Sequence, residues 1–373
     1  MVKRHLVLAG AAVLTVTLLP GVATAGDTSG EASWEVIAEG LNNPRGVHVR
    51  ANGAVLVAEA GLGGDTGICV ADPEDPEAEV CLGLTGSITR VRHGSSKRVV
   101  EGLPSFAAAD GSAAIGPSDV LRRFGRTYAT VGLGGDPSAI PGFGPDGELL
   151  ASLLKMKPHR GVVRQVADIG EYEIAANPDG GPLDTNPNSV TTRRGKLYVS
   201  DAGGNALLEV KKGGAVSTVA VFPVQFVDAP PFLGLPPGTQ IPMDAVPTSV
   251  VVGPDRALYV GQLTGFPFPV GGAAVWRVVP GHEPEVFADG FTNIIDIDFG
   301  PDGRLYVLEI ATNSLLGDPG GALWAVDHDG SRHLLLSEPL FFPGGMDVSR
   351  SGDVYVSNCG VCPGVGELLK VSL

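Results

Sequence analysis

Short apolar segments separated by tight polar turns recur along the chain after residue 40. One pattern returns six times: an apolar segment, a polar turn, then a second apolar segment of the Leu-Tyr-Val type. Such short, alternating segments, bounded by Gly, Asp and Pro, predict β-strands rather than helices. The six copies are Asn43–Gly61, Gly116–Gly135, Asn186–Asn205, Val246–Gly265, Asn293–Thr312 and Phe342–Gly360.

Each copy is followed by a third strand-like segment, and in five copies by a fourth. Four antiparallel strands repeated six times predict an all-β fold, a six-bladed β-propeller of four-stranded antiparallel blades. The predicted third strands are Ser87–Val91, Gly161–Val166, Ala206–Val210, Ala274–Val278, Ala322–Val326 and Glu367–Val371. In the second copy the fourth strand is predicted to be short, at Val166–Ile169.

The sixth copy lacks a fourth strand because the sequence ends at Leu373. An unassigned strand-like segment, Trp34–Ala38, precedes the first copy. We predict that it completes the last blade, which closes the ring and removes exposed edges. The alternative is a seventh, degenerate blade in Val221–Met243, although Pro and Gly in that segment argue against a blade.

The first 25 residues have the layout of a secretory signal peptide. A basic start precedes an apolar run, Leu6–Leu19, and the small residues Ala23-Thr24-Ala25 follow. The alternative is an uncleaved N-terminal anchor. We expect residues 1–25 to be the signal peptide and residues 26–373 to form a single secreted, extracellular propeller domain with no membrane span after cleavage.

The chain is acidic, with a formal net charge of −15. This charge argues against binding of nucleic acid or anionic lipid. It suits an extracellular protein, although acidity also serves solubility alone.

The predicted connections differ between the two ends of the propeller. Strands are named A to D from the axis outward; A–B and C–D turns are short, whereas several B–C and D–A connections are long. We call the end with the long connections the loop face and the other end the turn face. The long connections are Gly61–Gly86, Leu103–Gly116, Leu133–Arg160, Tyr172–Asn186, Phe222–Val246, Thr264–Gly272 and Ala311–Gly321.

Connections this long are usually functional or disordered. Those here are rich in Gly, Pro and aliphatic residues, and Pro230–Gly238 can form a stiff apolar lid. We predict that a small molecule or an extracellular protein partner binds the loop face. The alternative is that these loops merely cover the blade ends.

Polar residues mark the starts of strands A and the ends of strands B. These positions are expected to converge on the mouth of the central channel, where carboxylate and amide oxygens would suit Ca²⁺, the candidate cofactor. The alternative is that each residue caps a turn through nearby backbone N–H groups. The candidate ligand-binding residues are Arg45, Glu59, Asp119, Asn188, Asp201, Gln262, Asp296, Glu309 and Asn358.

The sequence lacks the motifs of serine hydrolases and of zinc proteases. It contains no Gly-x-Ser-x-Gly elbow and no His-Glu-x-x-His. Serine and zinc hydrolases are therefore disfavoured.

Several long phrases carry a family resemblance. "NPDGGPLDTNP", "TVAVFPVQFVDAPPFLGLPPGTQIPMDAVPTSV" and "GFTNIIDIDFGPDGRLYVLEIATNSLLGDPGGAL" resemble the ScyD/ScyE family of secreted propeller proteins, with NHL-like repeats. The resemblance covers nearly the whole mature chain and is most specific at Phe222–Leu323. It implies the fold and export, and leaves the molecular activity open.

A weaker resemblance points to enzymes. Asn188 and Asp201 stand where gluconolactonase-like proteins carry calcium ligands, but Arg45 stands where a glutamate is expected. Two hypotheses follow: a ligand- or partner-binding scaffold, or a calcium-dependent lactonase or esterase of the phosphotriesterase-like superfamily.

The chain has four cysteines, all in B–C loops of the first and last repeats. Export favours disulfides over a thiol redox role. We predict Cys69–Cys81 and Cys359–Cys362, because each pair closes a local loop. The alternatives are cross-pairing between the two loops, which would staple the first blade to the last, and a four-thiolate zinc site.

Overall fold

The computed structural model describes residues 32–71, 78–123, 125–157 and 162–373. In chain order the strands are β1 (Ser33–Leu41), β2 (Pro44–Val49), β3 (Val55–Glu59), β4 (Cys69–Ala71), β5 (Glu79–Arg92), β6 (Ser95–Ala108), β7 (Pro117–Arg123), β8 (Arg126–Val131), β9 (Ser152–Lys157), β10 (Val162–Asp168), β11 (Pro187–Arg193), β12 (Lys196–Asp201), β13 (Ala206–Val210), β14 (Val216–Val221), β15 (Gln225–Asp228), β16 (Gln240–Met243), β17 (Pro247–Val252), β18 (Leu258–Gln262), β19 (Ala273–Val278), β20 (Glu285–Phe291), β21 (Ile294–Phe299), β22 (Leu305–Glu309), β23 (Ala322–Val326), β24 (Arg332–Leu336), β25 (Gly345–Val348), β26 (Val354–Asn358) and β27 (Gly366–Ser372). The α-helices are α1 (Gly144–Gly147) and α2 (Ile169–Ala176), and 3-10 helices span Pro137–Phe143 and Pro231–Leu233.

These strands form a six-bladed β-propeller, which confirms the predicted fold class. In order A to D, blade 1 is β2-β3-β5-β6, blade 2 is β7-β8-β9-β10 and blade 3 is β11-β12-β13-β14. Blade 4 is β17-β18-β19-β20, blade 5 is β21-β22-β23-β24 and blade 6 is β25-β26-β27-β1. All pairings within the blades are antiparallel.

The N-terminal strand closes the ring, as predicted. β1 pairs with the last strand of the chain, β27, with Trp34 opposite Val371 and Val36 opposite Leu369. The final blade therefore draws its strands from both ends of the described chain. This arrangement covers the outer edge that β27 would otherwise expose.

The structure corrects the strand assignment in blade 2. The third strand is β9, which lies inside the segment Leu133–Arg160 predicted as a loop, and the segment predicted as the third strand belongs to the fourth, β10. Ser152–Lys157 pairs with β8 because its apolar residues fill the core, whereas the preceding loop is too long to reveal the repeat spacing. Val221–Met243 forms no seventh blade; it holds the two-stranded hairpin β15–β16.

The core lies between neighbouring blades. Leu56 and Ile88 of blade 1, for example, pack in one buried cluster with Val120 and Leu154 of blade 2. Strands B are buried along their whole length in blades 1, 4 and 5. Burial of both sheet faces explains the nearly continuous Leu, Val and Tyr composition of these strands.

Both predicted disulfides are present, which excludes the cross-paired arrangement and the zinc site. Cys69–Cys81 joins β4 to β5, and Cys359–Cys362 closes a short loop after β26. The described part of the chain has no free cysteine.

The predicted signal peptide lies outside the described residues. Within them, no helix has the length and apolar character that a bilayer crossing requires. The disulfides and this observation are compatible with an extracellular protein.

Candidate functional site

The inner strands of neighbouring blades are joined by aspartate side chains, which we call the inner ring. An inner strand has no further strand on its channel side, so its backbone N–H groups need other acceptors. Four aspartates supply them by accepting from the N–H of the next blade. The pairs are Asp119 Oδ2 with Val190 (2.8 Å), Asp296 Oδ2 with Met346 (2.8 Å), Asp298 Oδ2 with Val348 (2.9 Å) and Asp347 Oδ2 with Val49 (2.5 Å).

Burial makes the inner ring electrostatically costly. It raises the pKa of Asp296 well above the ordinary value, and the negative charge of Asp119 raises it further. Burial and the neighbouring Asp347 do the same to the pKa of Asp298. Hydrogen bonds from backbone N–H groups lower both pKa values and oppose these shifts. Because those N–H groups belong to the next blade, the carboxylates join neighbouring blades.

In five of the six blades strand B ends in a polar residue, and we call these five residues the end ring; in blade 2 strand B ends at Val131. In four blades the side-chain oxygen accepts a hydrogen bond from a backbone N–H of the D–A connection. These pairs are Glu59 with Asn42 (2.7 Å), Asp201 with Asn186 (2.6 Å), Glu309 with Thr292 (2.6 Å) and Asn358 with Phe341 (2.8 Å).

All four of these residues are buried, and their remaining bonds stay within the protein. Glu59 is 0% exposed, pairs with Arg98 at 2.8 Å and accepts from Ser87 and Thr89. Glu309 accepts from the Trp324 indole at 2.8 Å.

Gln262 occupies the equivalent position in blade 4 and accepts from the Trp276 indole at 2.8 Å. Its Nε2 is buried without a partner. The repeated geometry of the end ring matches the capping alternative, in which each residue accepts from nearby backbone N–H groups.

The structure does not bring all nine predicted residues into one lining. A central cavity of about 260 Å³ lies among the inner strands, and of the nine it is lined by Asp119 and Asp296. Arg45 donates to the Ala114 carbonyl at 2.9 Å, and burial lowers its pKa to about 10. The backbone of Asn188 lies in an irregular part of β11, where its carbonyl accepts from Thr130 at 2.9 Å.

Carboxylates gather at the loop face of blade 3. Glu173 is 2% exposed, and its Oε1 has no hydrogen-bond partner; Asp184 also has a buried, unpartnered Oδ1. A Cβ placed on Gly204 would lie 3.1 Å from Glu173 Oε2 and 3.4 Å from Asp201 Oδ2, so both side chains border this turn.

The pKa values of Glu173 and Asp201 are raised towards neutrality. Burial, followed by the charges of Asp201, Asp179 and Asp184, raises the pKa of Glu173 to about 7. Burial raises the pKa of Asp201 to about 6, against the opposing effect of hydrogen bonds from Thr185, Asn186 and Gly204.

A calcium ion at Asn188 and Asp201 has limited support from this geometry. Both Asp201 oxygens already accept hydrogen bonds, from Asn186 (2.6 Å) and Thr185 (2.7 Å). Among the described residues, no group of three or more acidic, His or Cys side chains is placed to hold a metal ion. The calcium site therefore stays a prediction.

The connections of the loop face share one charge property. Their sequences contain no Lys and no Arg, although the chain has 26 such residues, and they contain many carboxylates. The B–C loops are residues 60–86, 132–151, 202–205, 263–272, 310–321 and 359–365; the D–A connections are residues 42–43, 109–116, 169–186, 222–246, 292–293 and 337–344.

An apolar patch lies on this face. The predicted lid, Pro230–Gly238, lies in the connection between β15 and β16. It contacts the B–C loop of blade 4 through Phe232 and Phe266, with ring centroids 6.2 Å apart. Large side chains remain exposed on both segments. We define the apolar patch as Phe226 (68% exposed), Phe232 (62%), Leu233 (40%), Leu235 (45%) and Phe266 (40%).

Helix α2, and with it Glu173, was not predicted from the sequence. Its signal was present: Asp168 caps the helix by accepting from the N–H of Glu171 at 2.9 Å, and Asn177 ends it in a left-handed conformation. The inner-ring residues Asp298 and Asp347 were missed as well, since their acceptor role depends on contacts with another blade.

Comparison with known proteins supports the fold. No protein-family model and no curated protein sequence matches the chain. A glucose dehydrogenase structure is similar with a TM-score of 0.54 at 12% identity, covering 91% of this chain and 99% of that one. An oxidoreductase (glucose dehydrogenase) from Thermus thermophilus gives 0.51 at 18% identity, covering 91% and 100%.

A structural-genomics target that its name assigns to the gluconolactonases gives a TM-score of 0.52 at 12% identity, covering 91% of this chain and 92% of that one. At these identities the similarities establish a six-bladed NHL-like propeller architecture, and they leave the ScyD/ScyE resemblance as an expectation.

Proposed function

We propose that the protein is an exported ScyD/ScyE-type binding propeller whose loop face captures a cationic, partly apolar partner. The observation that carries this proposal is the apolar patch. Several large apolar side chains exposed on one surface region commonly mark an interaction site. Phe226 and Phe232 are 68% and 62% exposed, so core packing does not account for their large apolar side chains.

The charge of the loop face supports a cationic partner. Asp228 lies in the hairpin itself, and Asp244 lies at its base, where the charge of Asp179 adds to burial in raising the Asp244 pKa. No Lys or Arg occurs in any connection of this face. A partner that combines positive charge with apolar side chains satisfies both features, whereas an anionic one is repelled.

The inner and end rings support a binding role over catalysis. Their carboxylates accept hydrogen bonds from backbone N–H groups, and these bonds position strands and connections. A catalytic carboxylate needs access to substrate, but Glu59 and Asp201 are 0% and 1% exposed.

The test uses a synthetic amphipathic peptide with lysines on one side and leucines on the other. Fluorescence anisotropy at low salt is expected to show binding of this peptide and not of its Glu/Leu or Lys/Ser counterparts. The double substitution Phe226→Ser/Phe232→Ser should weaken binding by about tenfold or more, because each lost aromatic contact is worth about 1 kcal/mol or more. Leu334→Ser, at a similarly exposed apolar residue on β24, is the control.

Equal binding of all three peptides, or unchanged binding by the double variant, would refute the proposal. A small-molecule ligand of the same cationic, apolar character would compete with the peptide and would be sensitive to the same two substitutions.

A calcium-dependent lactonase or esterase is the second candidate. The observation that favours it is the pair of buried carboxylate oxygens without a hydrogen-bond partner, Glu173 Oε1 and Asp184 Oδ1, because Ca²⁺ binds through oxygen ligands. Metal analysis of the purified protein tests this candidate directly. Stoichiometric calcium that is lost in Asp201→Asn, together with lactone turnover, would favour the enzyme over the binding propeller.

A further inference from the structure

A second cavity, of about 710 Å³, opens on the turn face between blades 6, 1 and 2. Its volume is within the range of small-molecule sites. The A–B turns of blades 1 and 6 supply half of its lining residues, and the inner strands supply most of the rest. The basic residues in that lining are His48, Arg50, Arg122, Arg123 and Arg350.

Within the part of the chain that the structure describes, three of these cations have no carboxylate partner. Among the described residues, no carboxylate forms an ion pair with Arg50, Arg122 or Arg350. Arg122 donates to the hydroxyl of Thr127 at 2.8 Å. The acidic residue in the lining, Asp347, is engaged by the His48 ring at 3.2 Å and by a backbone N–H.

The positive charges of these arginines repel one another. Burial lowers the pKa of Arg50, and the positive charges of Arg122, Arg90 and Arg92 lower it further. A protein with a net charge of −15 has enough carboxylates to pair Arg50, Arg122 and Arg350, yet the described structure pairs none with them.

We propose that this turn-face cavity binds a small organic or inorganic polyanion carrying two or more phosphate, sulfate or carboxylate groups. Guanidinium groups bind such oxyanions through paired, charge-assisted hydrogen bonds. Arginines from three blades surround one cavity, so a ligand with several anionic groups can reach more than one of them.

A nucleic acid fits this cavity less well. The lining contains a single aromatic residue, Tyr355. Sites that bind single-stranded nucleic acid use several aromatic side chains to stack the bases. The acidic net charge also opposes the approach of a long polyanion.

Isothermal titration calorimetry in about 20 mM salt tests the proposal, with pyrophosphate, citrate, inorganic phosphate and sulfate as probes. Pyrophosphate or citrate is expected to bind at least about tenfold more tightly than the probes with a single anionic group, phosphate and sulfate. Arg50→Gln and Arg350→Gln should each weaken binding by about tenfold. Neither side chain makes a hydrogen bond or ion pair within the described structure, so both variants should fold.

The matched control is Arg164→Gln, which removes the same charge from an exposed position on β10 outside the cavity. It should leave the affinity unchanged. The proposal is overturned if no probe binds, if the control weakens binding as much as the cavity variants, or if a DNA duplex displaces pyrophosphate at equal charge concentration. The cavity and the apolar patch lie on opposite faces, so loss of one binding activity leaves the other measurable.

Discussion

The loop face and the turn face are built on the same six blades, but they differ in length, charge and the role of their carboxylates. Connections on the loop face are long and contain no Lys or Arg, and buried side chains from the ends of strands B hold them. Each A–B turn on the other face is short and has an arginine within it or at the strand end beside it: Arg50, Arg123, Arg194, Arg256, Arg304 and Arg350.

The strands and the connections have different roles. The repeated strands build the ring, and they would do so with many different connections. The basic residues are concentrated on one face and missing from the connections of the other, and we propose that this distribution serves the recognition of two different kinds of ligand.

The largest expected difference between the faces concerns their carboxylates. Glu59→Ala should lower the free energy of unfolding by about 2–3 kcal/mol, because it removes the buried acceptor of the Asn42 N–H and of the Ser87 and Thr89 hydroxyls. Asp302→Ala on the turn face should cost about 1 kcal/mol or less, since its pair with Arg304 is solvent-exposed. Urea denaturation measures both; similar costs would contradict the distinction.

The two loop-face disulfides should differ in their contribution to stability. A crosslink that closes a longer loop restricts the unfolded chain more. Removal of Cys69–Cys81, with a sequence separation of 12, should cost about 3 kcal/mol, and removal of Cys359–Cys362, with a separation of 3, about 2 kcal/mol. Paired Cys→Ser variants compared by denaturant unfolding give the order, and the reverse order would show that native contacts outweigh loop closure.

The pH dependence of stability should depend on Glu173. Its pKa is about 7 in the folded protein against 4.5 ordinarily, so its stabilising effect is complete below about pH 4.5 and is lost as the pH rises through 7. Glu173→Gln should therefore be more stable than the wild type at pH 8, by about 1 kcal/mol after allowance for solvent screening. Thermal unfolding between pH 4 and 8 measures the difference.

Glu171→Gln is the control, because Glu171 is an exposed carboxylate on the same helix. If both variants follow the wild-type pH profile, the carboxylate cluster at blade 3 is not the cause of the pH dependence.

The propeller ring could be predicted from the sequence, but the contacts of the candidate site residues could not. Strand periodicity identified six blades and the closing strand Trp34–Ala38, because both features repeat locally. Blade 2 was misread where the loop before β9 hides the spacing. The partners of Asp296 and Asp347 lie 50 and 298 positions away in sequence, so residue type alone could not reveal that these aspartates join blades.

The most direct test of the loop-face proposal is amide hydrogen exchange with and without the Lys/Leu peptide. Binding at the apolar patch predicts slower exchange in residues 222–246 and 263–272, with no change in the A–B turns. Slower exchange in the A–B turns instead, or no change anywhere at saturating peptide, would contradict the central claim that the loop face is the partner-binding surface.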